Sequence, residues 1–505
     1  MAEPEQTSLW VATDPSPAPR PGPPPEGVDV DVCVIGAGMT GMTAAVLLEQ
    51  AGRSVAVVDA HQVGDGVTGY TTAKISVLQQ THLHPIRSKF GDDGLRAYVE
   101  ANRAGLELIA RLVGERSIDC DFRRRPSVTY TESEQEVETI RKEVEAAKAA
   151  GLPARLETDV DLPWSVRAAA VVDDQAEFHP RKFLHALAGG LTGPIFERTT
   201  ATDVRDGDPC VVSTDSGGDI RAREVIVATH YPFLDRGLFF ARLSAERSYA
   251  IAVAVEGRVP EGMFISAESP TRSIRAYPVD GGELLIVGGE GHKTGQEADE
   301  RTRYAKLEAF ARERFDVTSV AYRWSAHDCM PVDGMPYVGR YSPVSRHLWV
   351  ATGFQKWGMS NGAAAALMLA DRLTGSGNAW LDAFDPNRIK PLAGGPKLLK
   401  ENVNVAAHFF GDRISSPDFP SVERIGPGEG GIVKTEEHGK VAAYRDEAGT
   451  LHAVSPTCTH LYCQVSFNQA EKSWDCPCHG SRFGVDGEVL QGPAVKPLER
   501  RPLSG

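Results

Sequence analysis

The sequence predicts an α/β body that carries an antiparallel-sheet subdomain, followed by a small all-β domain. Three observations support this. Near the start, the β-branched run Val28 to Ile35 leads into Gly36-Ala37-Gly38-Met39-Thr40-Gly41, an apolar helical stretch from Thr43 to Gln50, a second apolar run from Ser54 to Val58, and Asp59. Between residues 249 and 288, short β-rich runs are separated by Gly and Pro turns, as in an antiparallel sheet. Near the end, Cys458-Thr459-His460-Leu461-Tyr462-Cys463 is followed by Cys476-Pro477-Cys478-His479-Gly480-Ser481, two short loops too polar and too rich in metal-binding side chains to be ordinary turns.

A chain of 505 residues exceeds one typical core and implies two or three domains. Its net charge of −14 argues against a nucleic-acid footprint. Residues 1–27 hold eight prolines, with no charged segment leading into an apolar one, and read as a disordered tail rather than a signal peptide. The longest apolar run, Ala363 to Ala370, is far short of the roughly 20 residues that span a bilayer. No membrane span and a cytoplasmic location are therefore expected. Cys33, Cys120, Cys210 and Cys329 are scattered and read as packing residues.

In the first element, each glycine has its own task. Gly36 permits the tight turn, Gly38 lets backbone approach a pyrophosphate, and Gly41 lets helix and strand pack closely, while Asp59 can accept from ribose hydroxyls. Strand, turn, helix, strand and acid occur in the order that a dinucleotide site requires. Gly288-Gly289-Glu290-Gly291 lacks that frame, so no second nucleotide site, and hence no NAD(P)H, is expected.

The stretch Gly66-Val67-Thr68-Gly69-Tyr70-Thr71-Thr72-Ala73-Lys74-Ile75-Ser76 resembles the flavin-contacting loop of the D-amino-acid, glycine and sarcosine oxidase superfamily. A second segment fits the same family: a strand at Leu348 to Ala351, then Thr352-Gly353-Phe354-Gln355-Lys356-Trp357-Gly358-Met359-Ser360-Asn361-Gly362, then an Ala-rich helix. The resemblance implies FAD, with Thr72, Gly353, Phe354, Gly358, Met359 and Ser360 beside it. Ser360 or Asn361 can cap the helix, whose positive N-terminus would favour a reduced, anionic flavin ring.

Between these segments, helices are expected at Tyr98 to Val113, at Glu134 to Ala150, from His179-Pro180-Arg181 onward, and at Glu297 to Phe315. Strands are expected at Arg223 to Ala228, Ile251 to Val255, Ser273 to Tyr277 and Glu283 to Val287. The oxidoreductase body then spans 28–395. Residues 396–418 form a Pro-rich linker with a docking helix at Leu398 to Phe410, and the last domain spans 419–505.

Each of the two late loops offers one thiolate and one imidazole, in C-x-H and C-x-x-H spacing. That set can hold a [2Fe-2S] cluster, with Cys458 and Cys476 on one iron and His460 and His479 on the other. A structural zinc ion would accept the same four atoms. The loops resemble the Rieske proteins of the cytochrome bc type. The resemblance covers residues 419–505, includes Gly492-Pro493, and implies a disulfide between Cys463 and Cys478. Ser481 matches that pattern, but Phe483 stands where the pattern has a hydrogen-bonding Tyr, so an intermediate potential is expected.

The resemblance to the oxidases implies dehydrogenation of a small amine or imino compound. It places Lys74 at a substrate carboxylate and puts Ser360 where a second basic anchor would stand. Ala326 falls where some members carry a flavin-linking Cys, so noncovalent FAD is expected, with Cys329 close by. Lys74, His327 and Tyr277 are the catalytic candidates, and Asp328 and His230 are further cavity candidates. A two-electron flavin joined to a one-electron cluster suggests a relay from substrate through flavin and cluster to an external electron carrier. Two other readings are electron flow in the reverse direction and a non-enzymatic redox sensor.

Overall fold

The computed structural model describes residues 4–388 apart from 16, 18, 19, 21 and 298, then 402, 404, 405, and 416–503. Val28–Ile35 pairs in parallel with Val55–Val58 on one side and with Ile220–Val227 on the other, and Leu348–Thr352 extends the sheet in parallel beyond Ile220–Val227. These strands read as continuous apolar runs because helices cover the sheet. The helix Met39–Gln50 packs against Gly358–Thr374, which also packs against Leu83–Glu115. Each helix expected between the two flavin-like segments is present with shifted ends: the one expected at Tyr98 to Val113 is the second part of Leu83–Glu115, which breaks at Gly91, where φ is 72°. Val137–Ala149, Pro180–Gly189 and Arg301–Arg314 are the others.

A second sheet is built around long antiparallel strands, Leu243–Glu256 between Asp316–Pro331 and Gly282–Lys293, then Arg272–Val279 and Met263–Ser266. Arg123–Thr131, Ala168–Glu177, Arg155–Glu157 and Lys74–Ile75 complete it, so the segment carrying Lys74 leaves the first sheet to become an edge of this one. The C-terminal domain is all-β: one small antiparallel sheet of Gly430–Thr435, Gly439–Arg445 and Leu451–Val454, and another running from Ser466–Asn468 to Val489–Gln491.

The expectation of a disordered N-terminal tail is corrected. Leu9–Thr13 is a short helix capped by Ser8, whose Oγ accepts from Val11 N at 3.1 Å. Leu9 and Trp10 are fully buried, and Trp10 Nε1 donates to Thr71 O at 2.6 Å. Leu-Trp-Val is an apolar island among prolines, and burying an indole outweighs the ordering entropy of the few residues around it. The expected docking helix at 398–410 lies outside the described residues apart from Asn402, Asn404 and Val405. Asn402 Nδ2 donates to Ala241 O at 3.1 Å, and Asn404 Oδ1 accepts from Gln296 at 2.9 Å.

Candidate functional site

A cavity of about 1170 Å³ opens where the two sheets meet, with a nucleotide wall, a substrate wall, and a third wall contributed by the C-terminal domain. On the nucleotide wall, Gly36 has φ +110° and a Cβ there would lie 2.5 Å from Ala228 O. A Cβ on Gly41 would lie 1.8 Å from Gly36 O, so helix and strand meet there without room for a side chain. Gly38 differs from both. Its Cβ would meet only Thr68 Oγ1, at 3.2 Å, so the missing side chain leaves a cradle open to the cavity. That is the space a pyrophosphate needs to approach backbone N–H groups. Asp59 accepts from Ala37 N at 2.6 Å and from His61 N at 2.7 Å, which fixes the carboxylate at the cavity edge. Burial raises its pKa, opposed by those two N–H groups.

The helix Gly358–Thr374 begins with Trp357 as its N-cap and has no side-chain cap. The expected capping role of Ser360 or Asn361 is therefore corrected: both are buried in the first turn. Ser360 Oγ donates to Ser76 O at 2.9 Å, and Asn361 Nδ2 donates to Trp357 O at 3.2 Å. Phe354, Gly358, Met359 and Thr72 line the cavity. Ser360 and Gly353 do not; Gly353 turns the chain at φ +78°, where a Cβ would meet Pro331 and Leu243. A helix start without a side-chain cap, facing a cavity, presents N–H groups and a positive dipole end to an anionic or carbonyl-bearing ligand.

On the substrate wall, Lys74 is buried, and its Nζ donates to Phe264 O at 2.6 Å and to Ser273 Oγ at 2.7 Å. Burial, and next the charge of Arg275, lower its pKa to about 7 against the pull of Glu177. Tyr277 is corrected as a cavity residue. Its hydroxyl donates to Asp121 Oδ2 at 2.9 Å and its ring stands edge-on to Trp10 at 4.8 Å, away from the cavity lining. Alternation along Arg272–Val279 puts Tyr277 on the face of Ser273, but four residues of twisted strand carry it beyond the cavity to Trp10 and Asp121. His327, Asp328 and the half-buried His230 do line the cavity. The two imidazoles stand 5.4 Å apart, and among the described residues neither Nε2 has a partner. Asp328 accepts from Ser248 Oγ at 2.9 Å, and burial raises its pKa to about 6.

The late loops converge as the spacing predicts. Cys458 N donates to Cys463 O and Cys476 N to Ser481 O, both at 2.8 Å, which folds each loop back on itself. Cys458 lies within hydrogen-bond reach of Cys476, whose sulfur lowers its pKa. The His460 and His479 rings stand 5.1 Å apart. Among the described residues His460 Nδ1 is buried without a hydrogen-bond partner, as a ring nitrogen kept for a metal would be. Two thiols close to each other and two imidazoles close to each other, on the same two loops, are the donor set of a [2Fe-2S] centre. Cys463 and Cys478 form a disulfide across the loops.

These loops face the body. Gly480 has φ +78°, and a Cβ on it would lie 2.5 Å from His327 Nε2. Gly492, Pro493 and Ala494, from the loop beside the cluster, line the same cavity as Gly38 and Met359. His61 Nε2 is 3.2 Å from Leu490 O. Asp235 Oδ1 lies 3.2 Å from His460 Nε2, and Arg247 pairs with Glu471 at 2.5 Å. The sequence reading missed Asp235, Arg247 and Glu471. Arg247 carried a faint signal as a charged residue entering the otherwise apolar run 249–255; Asp235 carried none.

A family model for FAD dependent oxidoreductases (DAO) matches residues 31–372, and one for the Rieske [2Fe-2S] domain matches residues 421–502. A protein of Bacillus subtilis (strain 168), YhfW, named for a Rieske 2Fe-2S iron-sulfur centre, is 38% identical over 474 residues, covering 93% of each chain. Gamma-glutamylputrescine oxidoreductase of Escherichia coli (strain K12) is 23% identical over 419 residues, 78% of this chain and 95% of that one. The crystal structure of glycine oxidase from Geobacillus kaustophilus superposes with a TM-score of 0.59 at 19% identity, covering 72% of this chain and 99% of that one. FAD is the cofactor of the larger matched domain, and its needs agree with the Gly38 cradle and the uncapped helix start. A cluster, rather than zinc, agrees with the matched second domain and with the disulfide-bearing loops. On these grounds the chain belongs to the FAD dependent oxidoreductase (DAO) family and carries a Rieske [2Fe-2S] domain in its C-terminal part.

Proposed function

We propose that the protein dehydrogenates a small amine or imino compound in the cytoplasm and passes the electrons through its own cluster to an external carrier. The observation that carries this reading is the shared wall: the loop beside the cluster lines the flavin cavity, and Gly480, next to His479, abuts the cavity residue His327. When bound, FAD accepts a hydride equivalent from a carbon next to nitrogen, and the cluster carries electrons singly.

The chain supplies position, charge and exclusion of water. Two of the three N–H groups of Lys74 are used within the protein, which leaves one direction toward the cavity for an anionic group of the substrate. Asp328, held by Ser248, and the His327 and His230 nitrogens that have no partner among the described residues are the proton-accepting groups of the same lining. Gly358 and Met359 present the positive helix end to the cavity, where it would favour a cofactor group that gains negative charge on reduction. The amine class is supported by relatives whose names specify gamma-glutamylputrescine and glycine, both amine-bearing.

The test is anaerobic mixing of the holoprotein with a panel of primary and secondary amines and amino acids. Bleaching of the flavin absorbance by one of them, with a product one double bond richer, is the expected result. If none bleaches the flavin while a reduced ferredoxin does, the direction of flow is reversed.

A further inference from the structure

One stretch of the body, residues 231–240, covers both imidazoles of the cluster loops. Asp235 Oδ1 lies 3.2 Å from His460 Nε2, and the Phe240 ring meets the His479 ring edge-on at 5.9 Å. Because His460 Nδ1 is buried with no partner among the described residues and is the nitrogen left for a metal, Nε2 keeps its proton and donates to Asp235. Within the cluster domain, Phe483 is fully buried and has no hydroxyl to offer.

We infer that the flavoprotein body lowers the cluster's reduction potential through one carboxylate, Asp235. It accepts the His460 N–H and stabilises the oxidised, more positive cluster. The potential is then a property of the docked pair of domains, matched to the flavin by the domain that holds it. This rests on the presence of the cluster and is independent of the substrate.

The experiment is a redox titration of the full-length holoprotein, followed by the EPR signal of the reduced cluster, for wild type, Asp235→Asn and Asp235→Glu. D235N removes the anionic acceptor and raises the midpoint potential; D235E keeps the charge and stays near wild type. A tenfold change in the one-electron reduction equilibrium reads as about 59 mV. The Asp235 side chain is 56% exposed, so its variant tests the interaction without emptying a core. An unchanged or lowered potential in D235N overturns the inference, as does a shift in D235E equal to that in D235N.

Discussion

Arg247 Nη2 lies 2.5 Å from Glu471 Oε2, an ion pair whose arginine belongs to the large antiparallel sheet and whose glutamate belongs to the cluster domain. Arg482 approaches the same carboxylate at 2.5 Å and Asp475 at 2.9 Å, while Ser325 Oγ donates to Glu471. The Arg247 side chain is 1% exposed and that of Glu471 is 12% exposed. Such a network adds little over an apolar contact while intact, but losing one partner strands a buried charge. It therefore fixes the docking of the two domains.

The first prediction concerns this network. Glu471→Ala leaves Arg247 without its carboxylate and costs about 3–5 kcal/mol, measured by urea unfolding. Arg247→Met costs less, because Arg482 still neutralises Glu471. Burial raises the Glu471 pKa, but Arg247 and Arg482 outweigh it and the net shift is downward. A carboxyl lowered in the folded state contributes stability above its unfolded pKa and loses it as pH falls. Acid weakens the docking in wild type, and E471A has a flatter acid limb.

Gly38 and Gly36 separate cofactor binding from folding. Gly38→Ala meets only Thr68 Oγ1, so the apoprotein melts within about 1 kcal/mol of wild type and loses FAD. Gly36→Ala drives a Cβ onto Ala228 O at φ +110° and destabilises the apoprotein itself. Calorimetry of the apoproteins and flavin content on purification check both outcomes.

Lys74, with its pKa lowered to about 7, is a cation at pH 6 and largely neutral at pH 8. Affinity for a small carboxylate such as benzoate, read from the flavin absorption band, falls roughly tenfold per pH unit above that pKa. Lys74→Met abolishes the dependence and leaves FAD bound. An unaltered pH profile in that variant would assign the carboxylate to another group.

Trp10 is fully buried, with Arg275 5.4 Å from its ring and Tyr277 4.8 Å away. Trp10→Ala costs about 3–5 kcal/mol, and deletion of residues 1–14 has at least that effect on the melting temperature. A truly disordered tail would change neither.

The elements that local chemistry dictates were legible in the sequence. The β-branched run and glycines of 28–41 need no distant partner to be recognised, and neither do the paired Cys and His of 458–479, because close backbone approach and metal ligation restrict residue type at fixed offsets. Contacts assembled over long separations were not legible. Tyr277 alternates like a cavity residue, yet Trp10 and Asp121 determine where it sits. Ser360 has the composition of a cap, but Ser76 claims its hydroxyl. Proline density suggested disorder in a segment where two apolar side chains find a buried site. Asp235 reaches His460 across 225 residues, and no local pattern encodes such a meeting.

Transfer between the two cofactors within one molecule is the central claim, and it is tested by reducing the bound flavin with light and EDTA, without oxygen or any external carrier, and following the cluster by freeze-quench EPR. The rhombic signal of the reduced cluster should grow as the flavin reoxidises, at a rate independent of protein concentration. A flavin that stays reduced beside an oxidised cluster, or transfer whose rate scales with concentration, would contradict the account.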